Sequence, residues 1–158
     1  MIFIGGGSME RLSRDDYYME VARTVAKRGT CNRGRAGAVI VKYGRIVSTG
    51  YVGAPAGLPH CDEVGHDILK INGKEHCIRT VHAELNAILQ AAKFGIGVED
   101  GEMYCTMFPC YDCAKAILNV GIWKVIADYS YQSMDRSEEL FKEVGLFYKI
   151  YHGGVKEY

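Results

Sequence analysis

The sequence predicts an α/β protein in which a central mixed five-stranded sheet is covered by helices on both faces. Three observations carry that expectation. Helix-like and strand-like segments follow one another in the order αββ–α–β–α–β–α–β, an alternation that builds mixed sheets with helices packed on either side. The chain has 158 residues, 48% of them hydrophobic, enough for one domain with a real apolar core and too little for two comfortable ones. No internal repeat and no linker divides it. A single domain is therefore expected over residues 9–158. Residues 1–8, an apolar stub followed by Gly5-Gly6-Gly7-Ser8 ahead of Met9, read as a tag, an upstream start or a disordered N-terminus. They are too short for a signal peptide or a membrane span.

The elements follow in order. Ser13 caps a first helix whose opening turn is acidic, and Met19, Ala22, Val25 and Ala26 recur at helical spacing before a stop at Gly29. Gly37-Ala38-Val39-Ile40-Val41 is the continuous run of a buried strand; Lys42-Tyr43-Gly44-Arg45 turns the chain, and Ile46 to Gly50 returns it. From Tyr51 to Arg79 periodicity fails, while Gly, Pro, His and Cys abound. So long an irregular connection inside a small domain needs an organiser. Order resumes with a helix from Val81 to Phe94, whose Leu85, Ile88, Leu89 and Ala92 share one side. A strand from Met103 to Phe108, a helix from Cys110 to Val120, a strand from Trp123 to Asp128, a helix over 134–144 and a strand from Phe147 to Tyr151 complete the pattern.

Charge and cysteine usage narrow the function. Lys plus Arg and Asp plus Glu each number 19, giving zero formal net charge. Proteins that live on phosphate backbones show a basic excess, so nucleic acid is not the expected main partner and small molecules stay open. Nothing reads as a bilayer span, so a soluble, cytoplasmic protein is expected. Six cysteines in such a chain serve as metal ligands or core residues more often than as disulfides. Cys105, alone in a strand-like run, is read as core.

Two short segments carry the chemistry. His82-Ala83-Glu84 opens one predicted helix and Pro109-Cys110-Tyr111-Asp112-Cys113 opens another. A His/Cys/Cys set makes an open tetrahedral zinc site with a fourth position for water. Cysteines three apart at a helix start face the same way, and Pro109 suits a first helical position. Two helix N-termini add partial positive charge that favours thiolates. Glu84 would reach the bound water from the first turn and act as general base and then general acid. A lone Cys-x-x-Cys also marks structural zinc ribbons and thiol redox sites, and a fully structural site with a second cysteine is an alternative. The joint pattern decides: His-x-Glu opening a helix, about 25 residues, a strand, then Pro-Cys-x-x-Cys opening another helix is the signature of zinc-dependent deaminases. A non-catalytic zinc module would have no use for Glu84 beside an open metal position.

The runs Val81–Ile88 and Pro109–Ile117, together with Gly37–Val41 and Gly44–Tyr51, resemble the deoxycytidylate (dCMP) deaminases, and the likeness extends from about Ser13 to Tyr151. The resemblance implies a three-layer αβα cytidine-deaminase-like fold and hydrolysis of dCMP to dUMP with release of ammonia, supplying dUMP for thymidylate synthesis. It implies control by dCTP and dTTP, with magnesium accompanying those triphosphates, and a homo-oligomer, a hexamer or a dimer. It also supports a second, structural zinc. Cys31, Cys61, His66 and Cys77 are the chosen ligands, with His76 as alternate, against a reading of free cysteines and solvated histidines. Arg33 and Arg35 are candidates for the nucleotide phosphate, because guanidinium forks fit phosphate oxygens. Tyr129 or Tyr131 is a candidate for stacking on the base, and Ala38 is a further candidate substrate contact. One departure stands out: the family reads Gly-Tyr-Asn-Gly where this chain has Gly50-Tyr51-Val52-Gly53, which makes Tyr51, Val52 and Gly53 candidate effector contacts. The competing activities are a tRNA adenosine or other nucleic-acid deaminase, and a deaminase of dCTP or cytidine.

Overall fold

The computed structural model describes residues 10–156; the segment 1–8 set aside above lies outside the described residues. Helix α1 (Arg14–Ala26) begins where the sequence supplies an acceptor: the Ser13 hydroxyl accepts from the Asp16 N–H at 3.1 Å. Strands β1 (Gly37–Lys42) and β2 (Arg45–Tyr51) form a hairpin. After the irregular segment come α3 (Ala83–Lys93), β5 (Glu102–Met107), α4 (Tyr111–Asn119), β6 (Lys124–Tyr131), α5 (Asp135–Val144) and β7 (Phe147–Lys156).

The sheet runs β2-β1-β5-β6-β7. Strand β1 is antiparallel to both neighbours, whereas β5, β6 and β7 are parallel and are connected through α4 and α5, as parallel neighbours require. This is the expected mixed five-stranded sheet. The period of two explains the unbroken apolar run in β1. Val39 and Val41 join Tyr18, Met19 and Ala22 of α1 on one face; Ala38 and Ile40 meet Ala83, Ala87 and Ala91 of α3 on the other. Glycine lets the helices sit this close. A Cβ at Gly37 would collide with the α1 backbone at Ala22 and Ala26, and one at Gly50 with the α3 backbone at Ala83 and Ala87.

The segment from Tyr51 to Arg79 is more ordered than its lack of periodicity predicts. It holds a one-turn helix α2 (Cys61–Val64) and a separate two-stranded sheet, β3 (Ile68–Ile71) paired with β4 (Lys74–Cys77). Asn72 and Gly73 turn that hairpin with φ of 51° and 80°, the Asn-Gly combination that favours such turns. Alternation is absent because neither face lies on the core: every residue of β3 is exposed. Strands β6 and β7 also run past their predicted ends at Asp128 and Tyr151. Among the described residues, no helix is long and apolar enough to cross a membrane.

Candidate active site and metal centre

Two helix starts meet at the end of the parallel strands. His82 is the N-cap of α3 and Cys110 the N-cap of α4, both with extended backbone that turns the side chain off the helix end. Pro109 thus precedes the N-cap instead of occupying the first helical position predicted for it, and it is fully buried. Cys113 lies in the first turn of α4. His82 Nδ1 stands 3.4 Å from Cys110 Sγ and 3.7 Å from Cys113 Sγ. Zinc–sulfur and zinc–nitrogen bonds of about 2.3 and 2.0–2.1 Å set at the tetrahedral angle separate ligand atoms by about 3.5 Å. The three donors therefore fit one zinc ion.

Protonation in the cluster points the same way. A hydrogen bond from the Cys113 thiol, reinforced by His82, holds Cys110 down to about 4 against the opposing effect of burial. Cys110 in turn raises His82 to about 9. The proton on His82 and the Cys110 thiolate thus offset one another, and a zinc ion would take the place of that proton, since it binds neutral imidazole and thiolate. Glu84, in the first turn of α3, is buried at 6% exposure, and desolvation pushes its carboxyl up to about 7.

Residues 12–128 match the model of the cytidine and deoxycytidylate deaminase zinc-binding region. The chain belongs to this family. It is 41% identical over 138 residues to the ComE operon protein 2 of Bacillus subtilis, covering 87% of this chain and 71% of that one. It is 33% identical over 147 residues to the deoxycytidylate deaminase of Schizosaccharomyces pombe, covering 89% of this chain but only 45% of that enzyme; the chain thus spans less than half of the yeast relative's length. Among solved structures it resembles the dCMP deaminase of cyanophage S-TIM5 in complex with dCMP and dUMP, with a TM-score of 0.72 and 27% identity over 85% of this chain and 94% of that one. The His82–Cys110–Cys113 cluster falls within the family's zinc-binding region.

The second Cys/His cluster also gathers. Cys31, Cys61, His66 and Cys77 place their ligand atoms within 4.8 Å of one another. Cys31 Sγ is 3.6 Å from His66 Nδ1, and Cys61 Sγ is 3.6 Å from Cys77 Sγ, spacings that again suit tetrahedral zinc. His76, the alternate, turns away, its Nδ1 3.2 Å from Tyr131 Oη. Burial and the neighbouring thiol of Cys77 push Cys61 up to about 12.

One cavity joins the two clusters. Its enclosed volume is ≈ 90 Å³, a shallow site open to solvent. His82, Glu84 and Cys110 line its floor, while Cys31 and Cys77 belong to its wall. Arg33, Tyr131 and Val52, candidate ligand contacts from the sequence, also line it. Other candidates lie elsewhere. Ala38 is fully buried in the core between Gly50 and Cys105, and Arg35 is exposed and outside the cavity lining. Tyr129 packs on His152, with ring centroids 4.9 Å apart. The Tyr51 carbonyl accepts from Asn86 Nδ2 at 2.8 Å, and Gly53 bridges to Val81. Lining residues that were not anticipated include Glu75, Thr80, Phe108 and Gln132. For Glu75 the signal was present in the Asn72-Gly73 turn, which folds β4 back toward the cavity; for the others residue type alone offers none.

Proposed function

We propose that this protein is a dCMP deaminase, hydrolysing dCMP to dUMP and ammonia. The observation that carries this reading is a buried carboxyl, Glu84, sharing an open cavity with a three-donor His/Cys/Cys cluster. A structural zinc site would use a fourth protein ligand and need no such carboxyl. Zinc held by His82, Cys110 and Cys113 supplies the Lewis acidity that makes a water nucleophilic at neutral pH. Glu84, facing the same cavity, would carry both of the attacking water's protons: one to the ring nitrogen as the oxygen adds at C4, and the other, from the new hydroxyl, to the amine that leaves as ammonia. The hydrophobic floor at Met107 and Phe108 limits water near the ring and strengthens these polar contacts. Tyr131 packs against the base, and Arg33 faces the 5′-phosphate.

In the same reading Cys31, Cys61, His66 and Cys77 hold a second zinc that organises the segment between Tyr51 and Arg79. Control by dCTP and dTTP, with magnesium accompanying them, and a homo-oligomeric assembly belong to the proposal through the family likeness. The zero net charge and the limited cavity favour a free nucleotide over a nucleic acid.

Ammonia release assayed in parallel against dCMP, CMP, deoxycytidine, dCTP and an adenosine-containing tRNA anticodon stem tests the reading. We expect the largest kcat/KM for dCMP. A higher value for the RNA, or no ammonia from any cytosine compound, rejects it.

A further inference from the structure

Three consecutive residues of β4 reach from the exposed hairpin to the rim of the cavity. Lys74 Nζ donates to the Gln132 carbonyl, Glu75 Oε2 lies 3.5 Å from Arg33 Nη1, and His76 Nδ1 lies 3.2 Å from Tyr131 Oη. The lysine and the histidine tie the hairpin down. The carboxylate is the unexpected member, because a cavity that takes an anionic nucleotide gains nothing from a negative charge on its phosphate side.

The Arg33–Glu75 pair is weak and incomplete. The two side chains are 27% and 55% exposed, and ion pairs open to water hold loosely. Arg33 Nε is buried without a hydrogen-bond partner, and so is Gln132 Nε2; both residues line the same cavity. Glu75 on its strand satisfies neither donor. A phosphomonoester has three terminal oxygens and two charges, so it can take a guanidinium through two nitrogens and accept from a carboxamide as well.

We propose that Glu75 is an internal competitor for the substrate's 5′-phosphate: it occupies Arg33 when the cavity is empty, yields it to the incoming nucleotide, and reclaims it as the product leaves. This inference rests on the deaminase reading above. Its value to the reaction follows from chemistry. Substrate and product carry the same 5′-phosphate, so grip on that group is uniform binding that lowers KM without raising kcat, and excess grip retains the product. A carboxylate poised beside Arg33 loosens both equally. The neutral nucleoside, with no phosphate to offer, leaves the pair intact.

Steady-state kinetics of Glu75→Gln on dCMP and deoxycytidine, with dUMP as product inhibitor, test this. We expect KM for dCMP and Ki for dUMP to fall together by about two- to fivefold, the scale of one partly exposed ion pair, with kcat within about twofold and a smaller shift for deoxycytidine. In an Arg33→Met background the effect of Glu75→Gln should vanish. An unchanged or raised KM for dCMP, an equal shift for deoxycytidine, or an effect that persists without Arg33 overturns the proposal. Calorimetry with inorganic phosphate reads the same competition without turnover, and Kd should fall in Glu75→Gln by the same factor. If phosphate behaves so while no cytosine compound is deaminated, the deaminase reading fails and the competitor stands. If dCMP is deaminated and phosphate affinity does not change, the competitor fails alone.

Discussion

The two Cys/His clusters use the same side chains and are held in opposite ways. His82, Cys110 and Cys113 stand on helix starts whose buried faces, Ala83, Ala87, Ala91, Ala114 and Ile117, pack on the sheet. Cys31, Cys61, His66 and Cys77 come from a loop, a one-turn helix, a second loop and a strand end, in a segment whose own buried cluster contains only Cys31, Val52 and Cys61. The first cluster is built by the core and presents itself to a metal. The second has little apolar burial to hold it, and in the reading proposed above a bound metal would supply its order. Three donors leave one an open chemical site; four donors close the other.

The sharpest way to break this contrast is to remove chemistry from the first region and see whether the fold notices. Glu84→Gln is expected to keep its zinc and its melting temperature within a few degrees. Its deaminase activity should fall by about 10²–10⁴-fold, the range of general acid–base catalysis. Activity within a few-fold of the parent would remove Glu84 from the mechanism. Cys110→Ser should lose activity as completely, with a folded near-ultraviolet spectrum retained because the surrounding core packs without the metal.

The reverse holds for the second region. Cys61→Ser is expected to reduce bound zinc from about two to about one per chain. Its melting temperature should fall by about 5–15 °C, equivalent to a few kcal/mol of lost linkage for a domain of this size. Limited proteolysis should cut between Tyr51 and Arg79 first. One zinc in the parent, with Cys61→Ser as stable as the parent, would remove the second site.

The same contrast explains what the sequence made legible. Every element of the five-stranded sheet was readable, because burial on two faces leaves unbroken apolar runs such as Gly37–Val41. Helix α3 was readable but its buried side was not: of the expected stripe Leu85, Ile88, Leu89 and Ala92, the structure exposes Leu89 and Ala92 and buries the small residues Ala83, Ala87 and Ala91 against the sheet. The first cluster was readable too, since His82 and Cys110 announce themselves by spacing at helix starts. The β3–β4 hairpin was not, because Ile68, Leu69 and Ile71 are all exposed and no buried face imposes a period; only Asn72-Gly73 marked it. Arg35 and Ala38 were misplaced as substrate contacts for a related reason. Ala38 points into the core from β1, and Arg35 lies in the irregular chain before β1, where no period says which side faces the cavity.

Val52 lies where the two regions meet, in the cavity wall and in contact with the second cluster at 6% exposure. Val52→Asn restores the family's residue and adds a donor and an acceptor to the wall. We expect KM for dCMP to fall by about two- to tenfold, the worth of one hydrogen bond at roughly 0.5–1.5 kcal/mol, with kcat nearly unchanged. Burying the amide against Cys31 and Cys61 should lower the melting temperature slightly. Titrations with dCTP and dTTP on both proteins separate the roles: a shift in the triphosphate curves without a change in KM assigns the position to effector binding, and a shift in neither assigns it to packing alone.

The smallest effect concerns acid, and it distinguishes the regions by pH. The scaffold under the first cluster carries a polar knot in which Tyr104 Oη donates to Asp15 at 2.6 Å and Lys124 Nζ donates to it at 2.9 Å. Burial opposes the charged form, but these donors outweigh it and hold Asp15 below its ordinary value, while Asp15 and Glu102 raise Lys124. A carboxylate whose folded pKa is depressed adds stability above its unfolded value of about 3.9, and that stability is lost as pH falls through the folded pKa. The Asp15 side chain is 36% exposed, so solvent screening limits the contribution to about 0.5 kcal/mol. Asp15→Asn should therefore melt about 1–2 °C lower at pH 7, with the difference vanishing as pH falls through the depressed pKa of Asp15. The second cluster should respond earlier, since its thiolates must be deprotonated to hold metal and protons compete for them in mild acid. Zinc release and proteolysis of the 51–79 segment should thus precede loss of the scaffold as pH falls. A single transition for zinc, proteolysis and near-ultraviolet signal would mean that the two regions unfold as one.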